Sequence, residues 1–353
     1  MDSCICGSFS NFYYTLNKDI GFEHNFYNPL LSLKKYRVCR NCFSIKREDQ
    51  GVRNPFDSSY KHSPKKCITA SNRLSTISDF IIENIEDKNI KNICDFGGGE
   101  GELLVLLKNK FPQARLNLVE IKTGKKNHGI NHFCSLGKLL QKEKIDIFIA
   151  SNSLLYTDYS ELIDLLSNTK NSPNYVVLSG PDVQNRPSQL FYDDVIYNAS
   201  RLGIKLLLNR FSYKFEESNL YGIDHKEYLI LGKKLPGKIN QNNIPKENKH
   251  FSIKKLKNQI INISKNQAEI ANKEKAVTIF GTSIDSAILS IFITIKFNFA
   301  KDEVSKGEKF MDKDVIQIDD IDKEKGILLI PFSMQNRDRI KKRIKKDLNI
   351  KII

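Results

Sequence analysis

Long apolar runs are scarce in this chain of 353 residues. The longest, Ala287 to Ile295, falls well short of the ~20 apolar residues a helix needs to cross a bilayer, so no spanning helix is expected. The N-terminus, Met1 to Phe12, lacks a basic stretch leading into an apolar core, which argues against a secretory signal and for the cytoplasm. No Gly-Lys-Ser/Thr follows a glycine cluster, which argues against a phosphate loop. The formal net charge is +15, yet no arginine-rich or aromatic-interleaved stripe accompanies it. The excess is lysine spread through Lys233–Lys275 and Lys341–Lys351, a pattern that fits solvated surface lysines and does not by itself name a nucleic-acid partner. Hydrophobic content of 40% and charged content of 27% are those of a globular protein, and the length suggests two or three domains.

Against these absences stands one dense stretch, Lys91 to Leu107. The apolar residues Ile93, Cys94 and Phe96 enter a glycine cluster, Gly97, Gly98, Gly99 and Gly101, and Leu103, Leu104, Leu106 and Leu107 leave it at helical spacing. The spacing predicts strand, tight turn, helix. Glycines suit a turn that needs positive φ and a backbone that a ligand must approach closely. Asp95 precedes the first glycine, where a carboxylate would repel a pyrophosphate but suit the ammonium of a methionine moiety. Ala114 to Glu120 reads as a second strand ending in an acid, about where an acidic residue meets a ribose hydroxyl pair. These features favour S-adenosylmethionine, and Asp-x-Gly-Gly-Gly-Glu-Gly before an acid-ended strand resembles the cofactor-binding half of class I methyltransferases. The expected fold is accordingly α/β.

Cysteine is sparing, seven in all, but four fall in two close pairs, Cys4 with Cys6 and Cys39 with Cys42. Such pairs in a reducing compartment suggest a structural zinc ion more than disulfides, in a closed site with no catalytic position. A polar stretch from Gln50 to Pro64 reads as a crossing, and Ser71 to Ile85 as a helix leading into the core. Gly129 to Ser135 is a short segment expected near the adenine. Lys144 to Asn152 is the clearest strand, which places Ser151, Asn152 and Ser153 at a carboxyl end, beside cofactor and transferred methyl. Tyr159 to Ser167 reads as a helix and Tyr175 to Gly180 as a buried strand. A helix over Gln189 to Gly203 and strands over Lys205–Tyr213 and Glu227–Leu231 complete the alternation. Pro236 to His250 reads as a linker, Ile253 to Ala271 as an amphipathic helix, and Ala276 to Ile353 as a second, smaller α/β unit.

With cysteine pairs in front, a methyltransferase core and a small α/β domain behind, the chain resembles the three-domain sugar C-methyltransferases, which act on nucleotide-linked deoxy-keto-sugars. The matching residues are Cys4, Cys6, Cys39 and Cys42, the run Asp95 to Gly101, Glu120, and a C-terminal pattern from Phe299 through Gly307 and Phe310 to Asp320. The resemblance implies a zinc module over residues 1–58, a methyltransferase domain over 59–235, a linker over 236–254, and a helix with a small Rossmann-like domain over 255–353. It implies transfer of a methyl group from S-adenosylmethionine to a nucleotide-sugar, without membrane or nucleic acid.

Two family features are absent. Where the family shows Asn-x-Leu-Glu-His, this chain has Asn152-Ser-Leu-Leu-Tyr156, and the later Tyr-x-Glu-His segment that supplies a base has no histidine between Pro187 and Gly203. Carbon alkylation needs a positioned base worth roughly 10²–10⁴-fold, whereas an oxygen nucleophile needs less help. The remaining candidates are Asp182, Asp193, Asp194 and His225, with Tyr156 and Tyr192 positioning the sugar. Two other readings stand beside this one: a nucleic-acid methyltransferase, which lacks the expected Asn/Asp-Pro-Pro-Tyr run, and a non-catalytic relative that keeps cofactor and metal.

Overall fold

The computed structural model describes residues 4–8, 11–22, 29–48, 68–121, 129–157, 159–192, 195–218, 227–237, 252–301, 304, 308–321, 327–332, 337–347 and 350–353. The chain divides into two compact units, one of residues 1–15, 35–186 and 195–249 and the other of 16–34, 187–194 and 250–353.

The chain opens with strands β1 (Asn11–Phe22), β2 (Pro29–Cys39) and β3 (Ile45–Arg47). Helix α1 (Ile68–Asn84) then leads into β4 (Asn92–Phe96), the glycine turn and α2 (Glu102–Leu107). Strands β5 (Arg115–Val119) and β6 (Ile130–Phe133), helix α3 (Leu136–Leu140) and β7 (Ile147–Ser151) follow. Next come α4 (Ser160–Ser167), β8 (Tyr175–Pro181), β9 (Tyr197–Asn198), α5 (Arg201–Arg210), β10 (Tyr213–Glu217) and β11 (Glu227–Lys234). Seven strands form the main sheet in the order β10-β11-β8-β7-β4-β5-β6. Neighbours from β8 to β6 are parallel, while β11 is antiparallel to both β8 and β10.

Strand alternation splits the core in two. Ile93, Leu118, Ile130 and Ile149 join Ile77 and Ile81 of α1 and Leu103, Leu104 and Leu107 of α2 on one face. Cys94, Val119, Phe148 and Ala150 join α4 and α5 on the other. That second cluster also takes in Cys4, Ile5, Cys39 and Cys42, so the cysteine segment shares its core with the sheet. Pairing of β3 with β9, Ile45 against Asn198, ties it there.

The segment before β10 departs from expectation. In place of a helix over 189–203 and a strand over 205–213, a 3₁₀ turn spans Pro187–Phe191, β9 follows, and α5 occupies 201–210. The side chain of Ser200 accepts from Gly203 N at 2.9 Å and starts the helix there. Leu202, Ile204, Leu207 and Leu208 are then its buried residues, so the apolar run that reads as a strand is the inner side of a capped helix.

The other unit carries helix α6 (Ile253–Ala271), β12 (Ala276–Phe280), α7 (Ile284–Ser290), β13 (Lys296–Lys301), β14 (Lys309–Phe310), β15 (Lys313–Gln317), β16 (Ile327–Leu329), α8 (Arg337–Asp347) and β17 (Lys351–Ile352). Its sheet runs β14-β15-β13-β12-β16-β17, parallel from β15 to β17. The amphipathic spacing of α6 gives a helix with the bounds read from the sequence. No helix among the described residues is long and apolar enough to cross a membrane.

Asp146, just before β7, holds the amino edge of the main sheet together. Its Oδ2 accepts from Lys91 N at 2.8 Å and Asn92 N at 3.0 Å. Replacing it by Ala leaves both donors to solvent, and we expect a loss of about 2 kcal/mol in a urea titration, partly restored in Asp146→Asn.

Candidate functional site

The site is built from the carboxyl edge of the main sheet. Asp95 on β4 shares the α1 and α2 face with Ile93, is 2% exposed, and its Oδ1 accepts no hydrogen bond. The turn after it closes directly over that carboxylate. Gly97 has φ 70°, and a Cβ there would stand 2.4 Å from the Cβ of Ser153. At Gly98 a Cβ would fall 2.2 Å from Asp95 Oδ2, so only glycine admits this approach. Gly97 N donates to Val119 O at 2.8 Å and Gly101 N to Gly98 O at 3.0 Å, which pins the turn across β4 and β5. Gly99 N donates to Glu120 Oε2 at 3.2 Å, and Ile121 N to Oε1 at 2.9 Å. Both oxygens of Glu120 are thereby aimed, and the apolar Ile121 stands 67% exposed next to them.

Burial pushes the Asp95 carboxyl up from 3.8 to about 7, with the charges of Glu120 and Glu102 adding to it. Among the described residues this buried acid has acids for neighbours and no cation of its own. An ammonium or sulfonium group would relieve all three charges, and in this respect the residues fit the cationic cofactor expected from the sequence.

The neighbouring strand end supplies further unpaired groups. Asn152 follows β7 at φ 57°, a left-handed conformation that asparagine tolerates better than most residues. Its N donates to Ser179 O at 2.9 Å, while its Oδ1 is sealed without a partner, as is Ser153 Oγ. Ser151 Oγ accepts from Ser179 Oγ at 3.0 Å. Tyr156 ends the 3₁₀ turn Leu154–Tyr156 on the same connection, half-buried. His132 on β6 belongs by alternation to the same face as Ile130, and both of its ring nitrogens are buried without a hydrogen bond. Sequence reasoning put Ser153 beside the cofactor with Ser151 and Asn152, and His132 inside the segment expected near the adenine without singling out its ring, and it did not name Glu102. A histidine within a strand and an acid in a first helical turn have ordinary structural uses, so neither residue type gives a signal of its own.

Asp182, 4% exposed, ends up as the anchor of a turn. It accepts from Asn185 Nδ2 at 2.7 Å and from Gln184 N at 3.4 Å, and its carbonyl accepts from Asn185 N and Arg186 N. Arg186 pairs at 2.9 Å with the buried Glu227. Tyr192 belongs to the other unit, where it is buried and its N donates to Gln189 O at 3.3 Å. Asp193, Asp194 and His225 lie outside the described residues.

The four cysteines converge. Their Sγ atoms all lie within 4.8 Å of one another, with Cys4 to Cys42 at 3.4 Å and Cys6 to Cys39 at 3.6 Å. Four ligands ~2.3 Å from a tetrahedral ion stand ~3.8 Å apart, so the cluster fits such an ion and is too wide for disulfides. The neighbouring thiols hold Cys39 far below the ordinary thiol range, while Cys4 and Cys42 are pushed up. Around them, Asn41 Nδ2 donates to Cys6 Sγ at 3.7 Å and Tyr197 OH meets Cys4 Sγ at 3.4 Å.

The main sheet, a parallel 3-2-1-4-5 arrangement closed by an antiparallel hairpin, is that of the class I methyltransferase fold. No family model matches the chain, and no curated protein matches it. Similar solved structures include an O-methyltransferase family protein from Burkholderia thailandensis, at 10% identity and TM-score 0.37 over 48% of this chain and 57% of that one. The plantazolicin methyltransferase BpumL, solved with a substrate analogue and SAH, is 14% identical with TM-score 0.37 over 47% of this chain and 84% of its own. The pyocyanin biosynthetic protein PhzM is 18% identical with TM-score 0.35 over 49% and 60%.

Two outcomes are expected. Asp95 holds a proton in the ligand-free protein between about pH 4 and 7 that the unfolded chain has released, so its contribution to stability is lost as pH rises through that window. Asp95→Asn should therefore be more stable than the parent at pH 8, by about 2–4 kcal/mol in denaturant titrations, and no more stable near pH 3. Metal analysis should find about one tetrahedral ion per chain, and Cys39→Ser should lose it together with part of the thermal stability.

Proposed function

We propose that the first unit transfers a methyl group from S-adenosylmethionine to a small polar acceptor. The observation that carries this reading is Asp95: a buried carboxylate under a glycine turn, its Oδ1 sealed without a partner among the described residues, raised toward neutrality by burial and by the acids around it, on an interior strand of this sheet. When bound, the cofactor supplies an electrophilic methyl group on a sulfonium. Asp95 answers its positive end, Gly97, Gly98, Gly99 and Gly101 give it room, and Glu120 takes the ribose hydroxyl pair with oxygens already oriented by Gly99 N and Ile121 N. Ser151 and Asn152 border the methyl group at the end of β7, and Tyr156 positions the acceptor. Rate enhancement comes mainly from alignment of nucleophile and methyl carbon.

The acceptor we propose is a sugar or nucleotide-sugar, attacked through oxygen. Support for oxygen comes from Asp182, whose carboxylate is spent on Asn185 and Gln184 and makes a poor base for a C–H bond. A hydroxyl needs only to lose its proton as the new C–O bond forms, to Asp182, to His225 or to solvent. The ion we assign to Cys4, Cys6, Cys39 and Cys42 is zinc, in a structural role, because four thiolates leave it no open position.

Calorimetry with S-adenosylmethionine tests the reading. The parent should bind, and Glu120→Ala should weaken binding by about 1–3 kcal/mol, the cost of unmade charged hydrogen bonds. Labelled cofactor with a panel of nucleotide-sugars should give a methyl ether with no solvent deuterium at carbon. No binding heat for the parent overturns the assignment, and binding without transfer to any panel member leaves a non-catalytic cofactor-binding relative in its place.

A further inference from the structure

Two charged side chains on the helices that flank β4 are without partners among the described residues. Arg73 on α1 is half-buried; its guanidinium takes part in no hydrogen bond or ion pair among the described residues, and its Nε is shut off from solvent. Glu102, the first residue of α2, has both carboxylate oxygens shut off and unbonded. Burying part of a charge without a counter-charge costs free energy that a surface position would avoid, and the same molecule carries the two signs at once.

The two helices bring these charges to one edge of the sheet. They pack against each other through Ile77, Phe80 and Ile81 of α1 and Leu103, Leu104 and Leu107 of α2. Helix α1 enters β4 through the link 85–91 and α2 leaves β4 through the glycine turn, so both run from the carboxyl edge toward the amino edge. Arg73 lies eleven residues before Asn84, about 16 Å along the helix, and β4 rises about 13 Å from Asn92 to Phe96. Arg73 is therefore level with the end of β4, where Asp95 and the N-terminal turn of α2 stand. It is on the inner side of its helix, one turn before Ile77.

We propose that Arg73 and Glu102, together with Asp95, form a receptor for a zwitterionic α-amino acid group, with Arg73 taking the carboxylate and Glu102 and Asp95 the ammonium. The inference rests on the reading of the first unit as a methyltransferase and names the residues that grip the amino acid end of the cofactor. A guanidinium offers a planar fork to a carboxylate, and a carboxylate pair offers acceptors to an ammonium. Glycine at position 98 lets the ligand descend to Asp95 between them. Each of the three is then paired only when the ligand is bound, which accounts for charges of both signs left unpaired among the described residues at one edge of the sheet.

The test compares S-adenosylhomocysteine with 5′-methylthioadenosine, which keeps the nucleoside and thioether but has no amino acid end. In calorimetry the parent should bind S-adenosylhomocysteine far more tightly. Arg73→Gln and Glu102→Gln should each lose about ten-fold or more of that affinity. Their affinity for methylthioadenosine should stay within about two-fold of the parent's, which also reports that they fold. If Arg73→Gln binds neither compound, Arg73→Lys is measured, and it should keep methylthioadenosine while losing S-adenosylhomocysteine several-fold. Equal affinity of the parent for the two compounds, or variants that bind S-adenosylhomocysteine as the parent does, overturns the receptor but not the methyltransferase reading. A parent that binds neither overturns both.

Discussion

A single carboxylate, Asp95, imposes conditions on everything near it. It is almost fully buried, so its charge is costly, and acids on the next strand and the following helix raise the cost further. The turn above it accepts only glycine at position 98, because any Cβ there would collide with the carboxylate oxygens. A fold selected for stability alone would place an apolar residue at this position. The expense makes sense when a cation arrives from outside and the turn leaves it a path, so the least comfortable group in the unit is also the clearest indication of its purpose.

The cysteine cluster meets a different constraint. Cys4, Ile5, Cys39 and Cys42 are buried against Tyr197, Leu202 and the α4 and α5 side of the sheet. Ser44 and Ser200 stitch the two together, with Ser200 Oγ donating to Cys42 O, and α5 has glycine at position 203 where a Cβ would lie 2.4 Å from Ser44 Oγ. A tetrahedral ion in this cluster would fix not only the loops that carry the thiols but also Tyr197, whose ring packs tilted against Tyr159 with centroids 4.9 Å apart. Tyr159 in turn meets Tyr228 OH at 3.5 Å, at the mouth of the hairpin that ends the sheet. Order imposed by such an ion would thus pass through aromatic packing into the body of the unit.

The surroundings of Asp182 and Glu227 show how an acid can be structural in one place and functional in another. Asp182 is surrounded by donors from its own turn, and Glu227 has Arg186. Among the described residues, Asp95 Oδ1 and both oxygens of Glu102 have neither. The same residue type at the same sheet edge is therefore committed to the fold in one case and left open to a ligand in the other, and only the pattern of hydrogen bonds separates them.

How much was legible beforehand follows from the range of the interactions. The strand, turn and helix around residues 92–107 could be read because glycine spacing and apolar periodicity are local, and the same holds for α6, whose bounds came out as expected. The stretch 187–217 was misread because a cap by Ser200 and a two-residue pairing of β9 with β3 outweighed the apolar run that suggested a strand. The sequence by itself determined that a glycine turn would follow a strand carrying Asp95, that an acid would end the next strand, and that four cysteines would come in two pairs, since each is a matter of residue type and short spacing. Tertiary structure decided which charges were satisfied. Hydrogen bonds from Asn185 claim Asp182, and among the described residues nothing claims the buried atoms of Arg73, Glu102 or His132, because partners of a buried polar group are chosen by where distant segments meet, which no local pattern records.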